Sequence, residues 1–216
     1  FFEDAFTIIN SASKVPGMSN ALMMPILSSL CALKMEQKGT TSSKNDVAEL
    51  LQRFIQEAEE DGHPVHRCRA LTIEATRLAR LGEFTKAVDC ANQIHEIYDI
   101  EQHTDDMIMV YGDDFALGTI SESVQWLFLS GATKEADDQA NMVIDEILPH
   151  VDVEDVDDMM RFCLPLIQVL MLVERARDAD WLFKNYVINP YHDSGQSSFW
   201  SPLFNPLAYV LELIMM

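Results

Sequence analysis

The amino-acid sequence predicts an all-α chain arranged as an α-solenoid of helical hairpins. Gly and Pro are scarce, at 8 each in 216 residues, and alternating β-branched segments are rare. Apolar residues form 48% of the chain, which is enough for a continuous core, and they recur at helical spacing. A hairpin-turn pattern also occurs more than once, and repetition of one helical unit is typical of solenoids.

The first hairpin is predicted over residues 18–61. Ser19 and Asn20 can cap its first helix, and Asn45-Asp46 its second, because a side-chain oxygen accepts hydrogen bonds from the free N–H groups of a first helical turn. The Gly62-His63-Pro64 step that follows is a strong stop signal.

The second hairpin, residues 64–99, has the clearest turn. An apolar face ends in Leu81 and Gly82, and glycine ends a helix here because it adopts a positive φ at little cost. Phe84 is expected to fill the hairpin, and Ala87 lets the two helix backbones approach closely.

Two further hairpins are predicted over residues 114–149 and 152–188. Gly131 and Ala136 repeat the turn pattern, and Ala179 follows a weaker copy that lacks the glycine. The alanines of the three turns are 49 and 43 residues apart. Because an ideal tetratricopeptide repeat has a period of about 34 residues, we expect an irregular array with long helices and loops.

The remaining segments are predicted to be connections. Residues 99–114 are expected to form a linker, and residues 189–216 a loop followed by a last helix. The chain begins without Met and ends in mid-pattern. We therefore expect a fragment of a longer protein, in which residues 1–216 form a single helical-repeat domain.

The charge of the chain limits its partners. A net charge of −20 and a pI near 4.4 repel phosphate backbones and anionic lipid. The sequence therefore predicts a protein or peptide partner, or a neighbouring domain of the same chain, and no nucleic acid or membrane. The acidic excess is interpreted as a solvated surface, with a dock for a basic partner as the alternative.

The cysteines indicate a reducing compartment. They stand at positions 31, 68, 90 and 163, without a Cys-x-x-Cys pair and among apolar neighbours. Free, buried thiols in the cytoplasm are the predicted state. No signal peptide is visible, and the apolar runs are too short to span a bilayer.

A family resemblance extends over about residues 65–148. The motif Leu81-Gly82-Glu83-Phe84-x-x-Ala87 resembles the tetratricopeptide repeat. After it come, in order, Ile97-Tyr98-Asp99-Ile100-Glu101-Gln102-His103, Val110-Tyr111-Gly112-Asp113-Asp114, Trp126-Leu127, Gly131 and Glu135-Ala136-Asp137. This order resembles the helical tail of signalling proteins in which a class III nucleotide cyclase or a kinase is fused to a STAND-type ATPase. Ile100 stands where that family pattern has proline.

The resemblance implies a protein-interaction or intramolecular regulatory module of a cytoplasmic signalling protein. Any ATPase or cyclase domain would lie outside this fragment, which is expected not to be an enzyme. An enzyme of unrecognised helical type is an alternative, and so is a scaffold that oligomerises through residues 203–216. The residues of the repeat signature are Leu81, Gly82, Phe84, Ala87, Tyr98, His103, Tyr111, Gly112, Trp126, Gly131, Ala136 and Ala179.

Two sets of side chains are candidates for binding. Tyr98, His103 and Tyr111 are interpreted as a structural clasp between hairpins, with a ligand site as the alternative. If the first helix of each hairpin lines a concave face, the partner contacts are expected at Arg69, Thr72, Arg77, Glu122 and Gln125.

No catalytic, cofactor-binding or metal-binding residue is predicted. His63, His66 and Cys68 carry donor atoms that suit zinc, but their spacing favours the start of a helix. The acidic run Asp152–Asp158 lacks the central Gly and terminal Glu of an EF-hand, and it is interpreted as a helix start. Met107 and Met109 are either core residues or an adaptable contact surface.

Overall fold

The computed structural model describes residues 20–36, 42–151 and 156–188, and these residues are helical with no strand. The all-α prediction is confirmed. The helices are α1 (Asn20–Glu36), α2 (Ser42–Asp61), α3 (Pro64–Arg80), α4 (Phe84–Ile97), α5 (Ile100–Tyr111), α6 (Phe115–Leu129), α7 (Thr133–Met142), α8 (Val156–Leu172) and α9 (Ala176–Phe183). The grouping of these helices into the four predicted hairpins and into a solenoid stays a prediction.

Two helices continue beyond their α-helical bounds. After α7 the chain forms a π-helical turn, Val143–Ile147, and then a 3₁₀ turn, Leu148–His150. After α9 it forms a second π-helical turn, Lys184–Ile188. The predicted loop and last helix at 189–216, and the start of the acidic run at Asp152, lie outside the described residues.

The predicted linker at 99–114 is wrong, because most of it is helix α5. The Oδ1 of Asp99 accepts a hydrogen bond from the Gln102 N–H at 3.2 Å, which caps the start of the helix. In return, the Nδ1 of His103 accepts from the Asp99 N–H at 2.9 Å. Gly112 ends the helix at φ 85°, and its N–H bonds to the Ile108 carbonyl. These reciprocal caps stabilise a helix whose polar sequence suggested a loop.

Three hairpin turns share one backbone structure. At Gly82, with φ 79°, the Glu83 N–H bonds to the Leu78 carbonyl and the Gly82 N–H to the Ala79 carbonyl. The turns at Gly131 and at Glu174 repeat both bonds at the same offsets. This pair of bonds is the Schellman motif, which satisfies carbonyls that a helix end leaves free. The turn without glycine is therefore a structural copy of the other two.

The alanine that follows each turn is fully buried. Ala87, Ala136 and Ala179 each lie five residues after the residue with positive φ, and each has 0% of its surface exposed. In each case the alanine N–H bonds to the carbonyl four residues before it, inside the first turn of the second helix. Because these alanines are already fully covered, a larger side chain there would have to displace its neighbours.

The contacts divide the described chain into two compact units. The first contains the described residues up to Arg77 together with Gln93–Ala116. Its α1 packs against α2 and also contacts α5. Its buried core draws on α1, α2 and α3 through Met23, Met24, Leu27, Leu30, Cys31, Leu50, Leu51, Phe54, Ala58, Ala70 and Ile73.

The second unit contains Leu78–Asn92 together with the described residues from Leu117 onward. Here α8 packs against α7 and α9. The guanidinium of Arg175 joins these elements, because its Nη1 donates to Asp137 at 2.6 Å and to Asn141 at 2.8 Å. Trp126 of the repeat signature is buried and Phe84 is half-buried.

Candidate functional site

A row of polar side chains runs along one buried face of α3. His66, Arg69 and Thr72 are three residues apart, so they lie on one side of the helix. All three are buried, although charged and polar groups are rarely buried without partners. Their surroundings in the first unit therefore decide what this face can do.

The guanidinium of Arg69 lies between helices and against an aromatic ring. It is 8% exposed, and its Nε donates to the Ser28 hydroxyl on α1 at 2.8 Å. Its Cζ lies 3.5 Å from the ring centroid of Phe115 and 5.7 Å from that of Tyr111, distances at which a cation is attracted to a π face. Burial lowers the pKa of Arg69 to about 10, although the electrostatic effects of Tyr111, Asp113 and Cys31 raise it in part. The group stays charged at neutral pH.

The His66 side chain of α3 contacts one residue of α5 and one residue of α2. Its Nδ1 is 2.7 Å from the Tyr111 hydroxyl, and its Nε2 is 3.8 Å from Oδ2 of Asp61. Burial lowers the pKa of His66, and the charge of Asp61 opposes that shift. Thr72 completes the row, since its Oγ1 donates to the Phe115 carbonyl at 3.4 Å.

Tyr98 lies just before α5 and Tyr111 is its last residue. The hydroxyl of each forms side-chain hydrogen bonds. The Tyr98 hydroxyl donates to the Asp114 carboxylate, just beyond the other end of the helix, and its oxygen lies 3.3 Å from the Thr104 hydroxyl. Burial raises the pKa of both tyrosines. The ring centroids of Tyr98 and His103 lie 5.7 Å apart, and the role of Tyr98, His103 and Tyr111 as a clasp between hairpins stays a prediction.

The five residues predicted to contact a partner occupy different environments. Arg69 and Thr72 are buried, so the expectation that they line an open face is wrong for these two. Their polar groups face Ser28 and Phe115 instead of solvent. Arg77 forms a bidentate ion pair with Glu74 of the same helix, with both N–O distances 2.7 Å.

The other two residues of that set lie on α6. Gln125 hydrogen-bonds with Gln168 of α8. Glu122 is exposed by its surface area, yet desolvation by the surrounding protein raises its pKa, partly offset by Arg80. Solvent reaches the Glu122 side chain, so its carboxylate is accessible.

One face of α5 is accessible and carries both acidic and apolar groups. Met109 is 76% exposed and Ile108 is 47% exposed, whereas Met107 is fully buried. Glu101 and Asp105 are exposed on the same side, at helical spacing from these two. The sequence left Met107 and Met109 as either core or contact residues, and the structure buries Met107 and exposes Met109. We call Glu101, Asp105, Ile108 and Met109 the α5 face.

The cysteines and candidate metal ligands offer little reactivity. All four cysteines are free and buried, as predicted. Burial raises the pKa of Cys31, Cys68 and Cys163 to about 12, so these thiols stay protonated at neutral pH. Among the described residues, no group of three or more His, Cys, Asp or Glu side chains is placed to hold a metal ion.

Comparisons with known proteins give no relative of this chain: no family model, curated protein or solved structure matches it. In the described ranges, no helix is both long and apolar enough to cross a bilayer.

Sequence reasoning missed the partners of the α3 row. Ser28 and Phe115 lie 41 and 46 residues away from Arg69 along the chain, and nothing local marks them as its contacts. One signal was present. Polar residues at 66, 69 and 72 share a side of a helix whose other residues include Val65, Ala70 and Ile73, a pattern that indicates a buried polar row.

Proposed function

We propose that this chain is a protein-interaction module that binds a basic, amphipathic peptide segment on the α5 face. The segment belongs to a separate partner or to a neighbouring part of a longer chain. The module works by binding, without chemistry of its own, and serves a larger cytoplasmic signalling protein. The fusion to an ATPase or nucleotide cyclase stays a prediction from the sequence resemblance.

The observation that carries this proposal is the composition of the α5 face. Large apolar side chains on a protein surface usually stand singly, whereas here Ile108 and Met109 are adjacent and are flanked by exposed carboxylates. Methionine suits binding surfaces because its flexible, polarizable side chain adapts to different partners. Apolar anchors beside acidic groups fit a helix that carries its own apolar and basic residues.

The charge of the whole chain supports the same class of partner. A net charge of −20 attracts a basic segment over a distance of about one Debye length and speeds its encounter. The same charge repels acidic competitors. Specificity then depends on how the apolar residues of the partner fit around Met109.

The caps of α5 support a rigid binding surface. Asp99 and His103 hold its first turn, Gly112 ends it, and Tyr98 bonds to Asp114 beyond its far end. A helix fixed at both ends presents its face without an additional ordering cost on binding.

Selection of peptides from a random displayed library by the purified chain tests the proposal. Enriched sequences are expected to be basic and amphipathic, and synthetic copies should bind with a strong dependence on salt. Asp105→Lys should weaken binding roughly fivefold or more at low salt, and Met109→Asp should abolish it. Leu129→Asp is the matched control, because Leu129 is an exposed apolar residue of α6 outside the α5 face.

Two results would contradict this function. One is the enrichment of acidic or purely apolar peptides. The other is an affinity that falls equally in the Leu129 control and in the α5-face variants, since that would place binding elsewhere.

A further inference from the structure

Two helices of the second unit, α6 and α8, lie side by side and run in the same direction. The Ser121 hydroxyl of α6 donates to the Phe162 carbonyl of α8, 41 residues further along the chain. One turn later, the side-chain amide of Gln125 donates to the side-chain oxygen of Gln168, 43 residues further along. Because the partner on α8 advances as the residue on α6 advances, the two helices are parallel. The glutamines therefore join the two helices at one level.

A pair of exposed leucines lies one turn beyond the glutamine pair. Leu129 and Leu172 each follow their glutamine by four residues, so each lies on the same side of its helix, about 6 Å further along. Leu129 is 58% exposed and Leu172 is 62% exposed. A single exposed leucine needs no explanation, but two at the same level of adjacent parallel helices form an apolar patch.

The opposite side of the glutamine pair is acidic. Glu122 precedes Gln125 by three residues, on the same side of α6, and it is exposed. Arg80 interacts with Glu122 electrostatically, but the chain as a whole has a net charge of −20 and attracts cations. We call this set of residues the α6–α8 face: Glu122, Gln125, Leu129, Gln168 and Leu172.

The glutamine amides suit the backbone of a partner. A side-chain amide has two N–H donors and an oxygen with two lone pairs, so one mutual hydrogen bond leaves both glutamines with further donors and acceptors. Gln168 is exposed and Gln125 is partly exposed. An extended segment offers free N–H and C=O groups that match these amides. A helical segment does not, because a helix pairs its own backbone groups.

We propose that the α6–α8 face binds an extended peptide segment in which apolar and basic residues alternate. Main-chain hydrogen bonds to the glutamines hold the segment, and its side chains give specificity. Because successive side chains of an extended chain point in opposite directions, one set contacts Leu129 and Leu172 while the other reaches Glu122. This face shares no residue with the α5 face, lies in the second unit and does not depend on the proposed function.

Nuclear magnetic resonance of the whole chain, labelled at glutamine side-chain amides and leucine methyl groups, tests the site directly. The probe is a short peptide in which valine and lysine alternate. It should shift the amide resonances of Gln125 and Gln168 in a saturable way. The methyl resonances of Leu129 and Leu172 should follow the same curve. The amide of Gln56, which donates to Glu60 on α2, should stay constant.

Two control peptides separate the features of the partner. One has the same composition with its valines at helical spacing, and it should bind about tenfold more weakly, as judged by the Gln168 resonance. The other is the alternating peptide with N-methyl groups on its backbone amides. It should also lose affinity, because it keeps its side chains but lacks the N–H donors.

Variants of the chain identify the residues responsible. Leu172→Asp should raise the Kd for the alternating peptide about tenfold. Glu122→Gln should raise it by a smaller factor that disappears at high salt. Leu81→Asp is the matched control, because Leu81 is 48% exposed beside another hairpin turn. Met109→Asp, on the α5 face, should also bind the alternating peptide like the parent chain.

Several outcomes would overturn the proposal. They are glutamine resonances that the alternating peptide does not move, equal binding of either control peptide, and an affinity that Leu81→Asp or Met109→Asp lowers as much as Leu172→Asp does. If Leu172→Asp fails to fold, the resonances of the parent chain still decide, because they need no substitution.

Discussion

Glu174→Gly is expected to stabilise the chain. Glu174 has φ 64°, and it is the non-glycine residue with positive φ in the described ranges. The corresponding positions in the other two Schellman turns are Gly82 and Gly131. The Glu174 side chain is exposed and forms no hydrogen bond or ion pair with the described residues, so its removal loses no contact there.

The expected gain is the difference between two backbone terms. A residue with a Cβ in the left-handed region costs roughly 1–2 kcal/mol. Replacing Glu174 with glycine removes that cost but destabilises the fold by about 0.5–1 kcal/mol, because the unfolded chain gains conformational freedom. The net gain is therefore about 0.5–1 kcal/mol in the free energy of unfolding, which corresponds to a rise in Tm of about 1–4 °C.

Urea and thermal unfolding measure the gain against two matched variants. Gly131→Ala should lose about 1 kcal/mol, because its added Cβ meets no atom within 4 Å and the cost is the φ of 89° alone. Glu49→Gly, in the interior of α2, should also lose about 0.5–1 kcal/mol. If Glu174→Gly destabilises the chain as much as Glu49→Gly does, the turn at 174 is not left-handed and the equivalence of the three turns fails.

Two further predictions concern buried positions. Ala136→Leu should lower the free energy of unfolding by about 1–3 kcal/mol, because the larger side chain overpacks the region beside the turn. Lys134→Leu, at an exposed site, should change the free energy of unfolding by less than about 0.5 kcal/mol. Equal unfolding midpoints for the two variants would refute the close packing at Ala136. Burial holds the pKa of His66 below its ordinary value of 6.5, so the unfolded chain takes up the proton first on acidification. The contribution of neutral His66 to the free energy of unfolding is complete above about pH 6.5. It is lost as the pH falls toward the pKa of His66 in the folded chain. Unfolding of His66→Gln should accordingly vary less between pH 7.5 and 5.5 than unfolding of the exposed control His95→Gln, and parallel pH profiles would contradict the assignment.

Helix bounds were predictable where a local signal was strong. Gly82 and Gly131 marked two turns, and their offsets from Ala87 and Ala136 fixed where the second helices begin. The stretch from Val173 to Ala179, a weaker copy of the pattern, marked the third turn, and the same backbone bonds form there without glycine. Local turn signals therefore predicted where the helices on either side of these turns end and begin.

The failures have a different physical origin. The sequence predicts a linker where α5 forms, because the caps of this helix depend on side chains such as His103, whose bond back to the backbone is not a common sequence signal. It predicts Arg69 and Thr72 on an open face, because polar side chains are usually exposed. Their burial depends on Ser28 and Phe115, which the fold brings to them from distant parts of the chain. No short sequence window contains that information.

The most direct test of the proposed function is the methyl resonance of Met109 during titration with a selected basic peptide. The account predicts a saturable shift of Met109, which is 76% exposed on the α5 face, while Met159, fully buried in α8, stays constant. Asp105→Lys should raise the Kd obtained from the same titration. A peptide that binds tightly and leaves the Met109 methyl unmoved would show that the α5 face is not the binding surface.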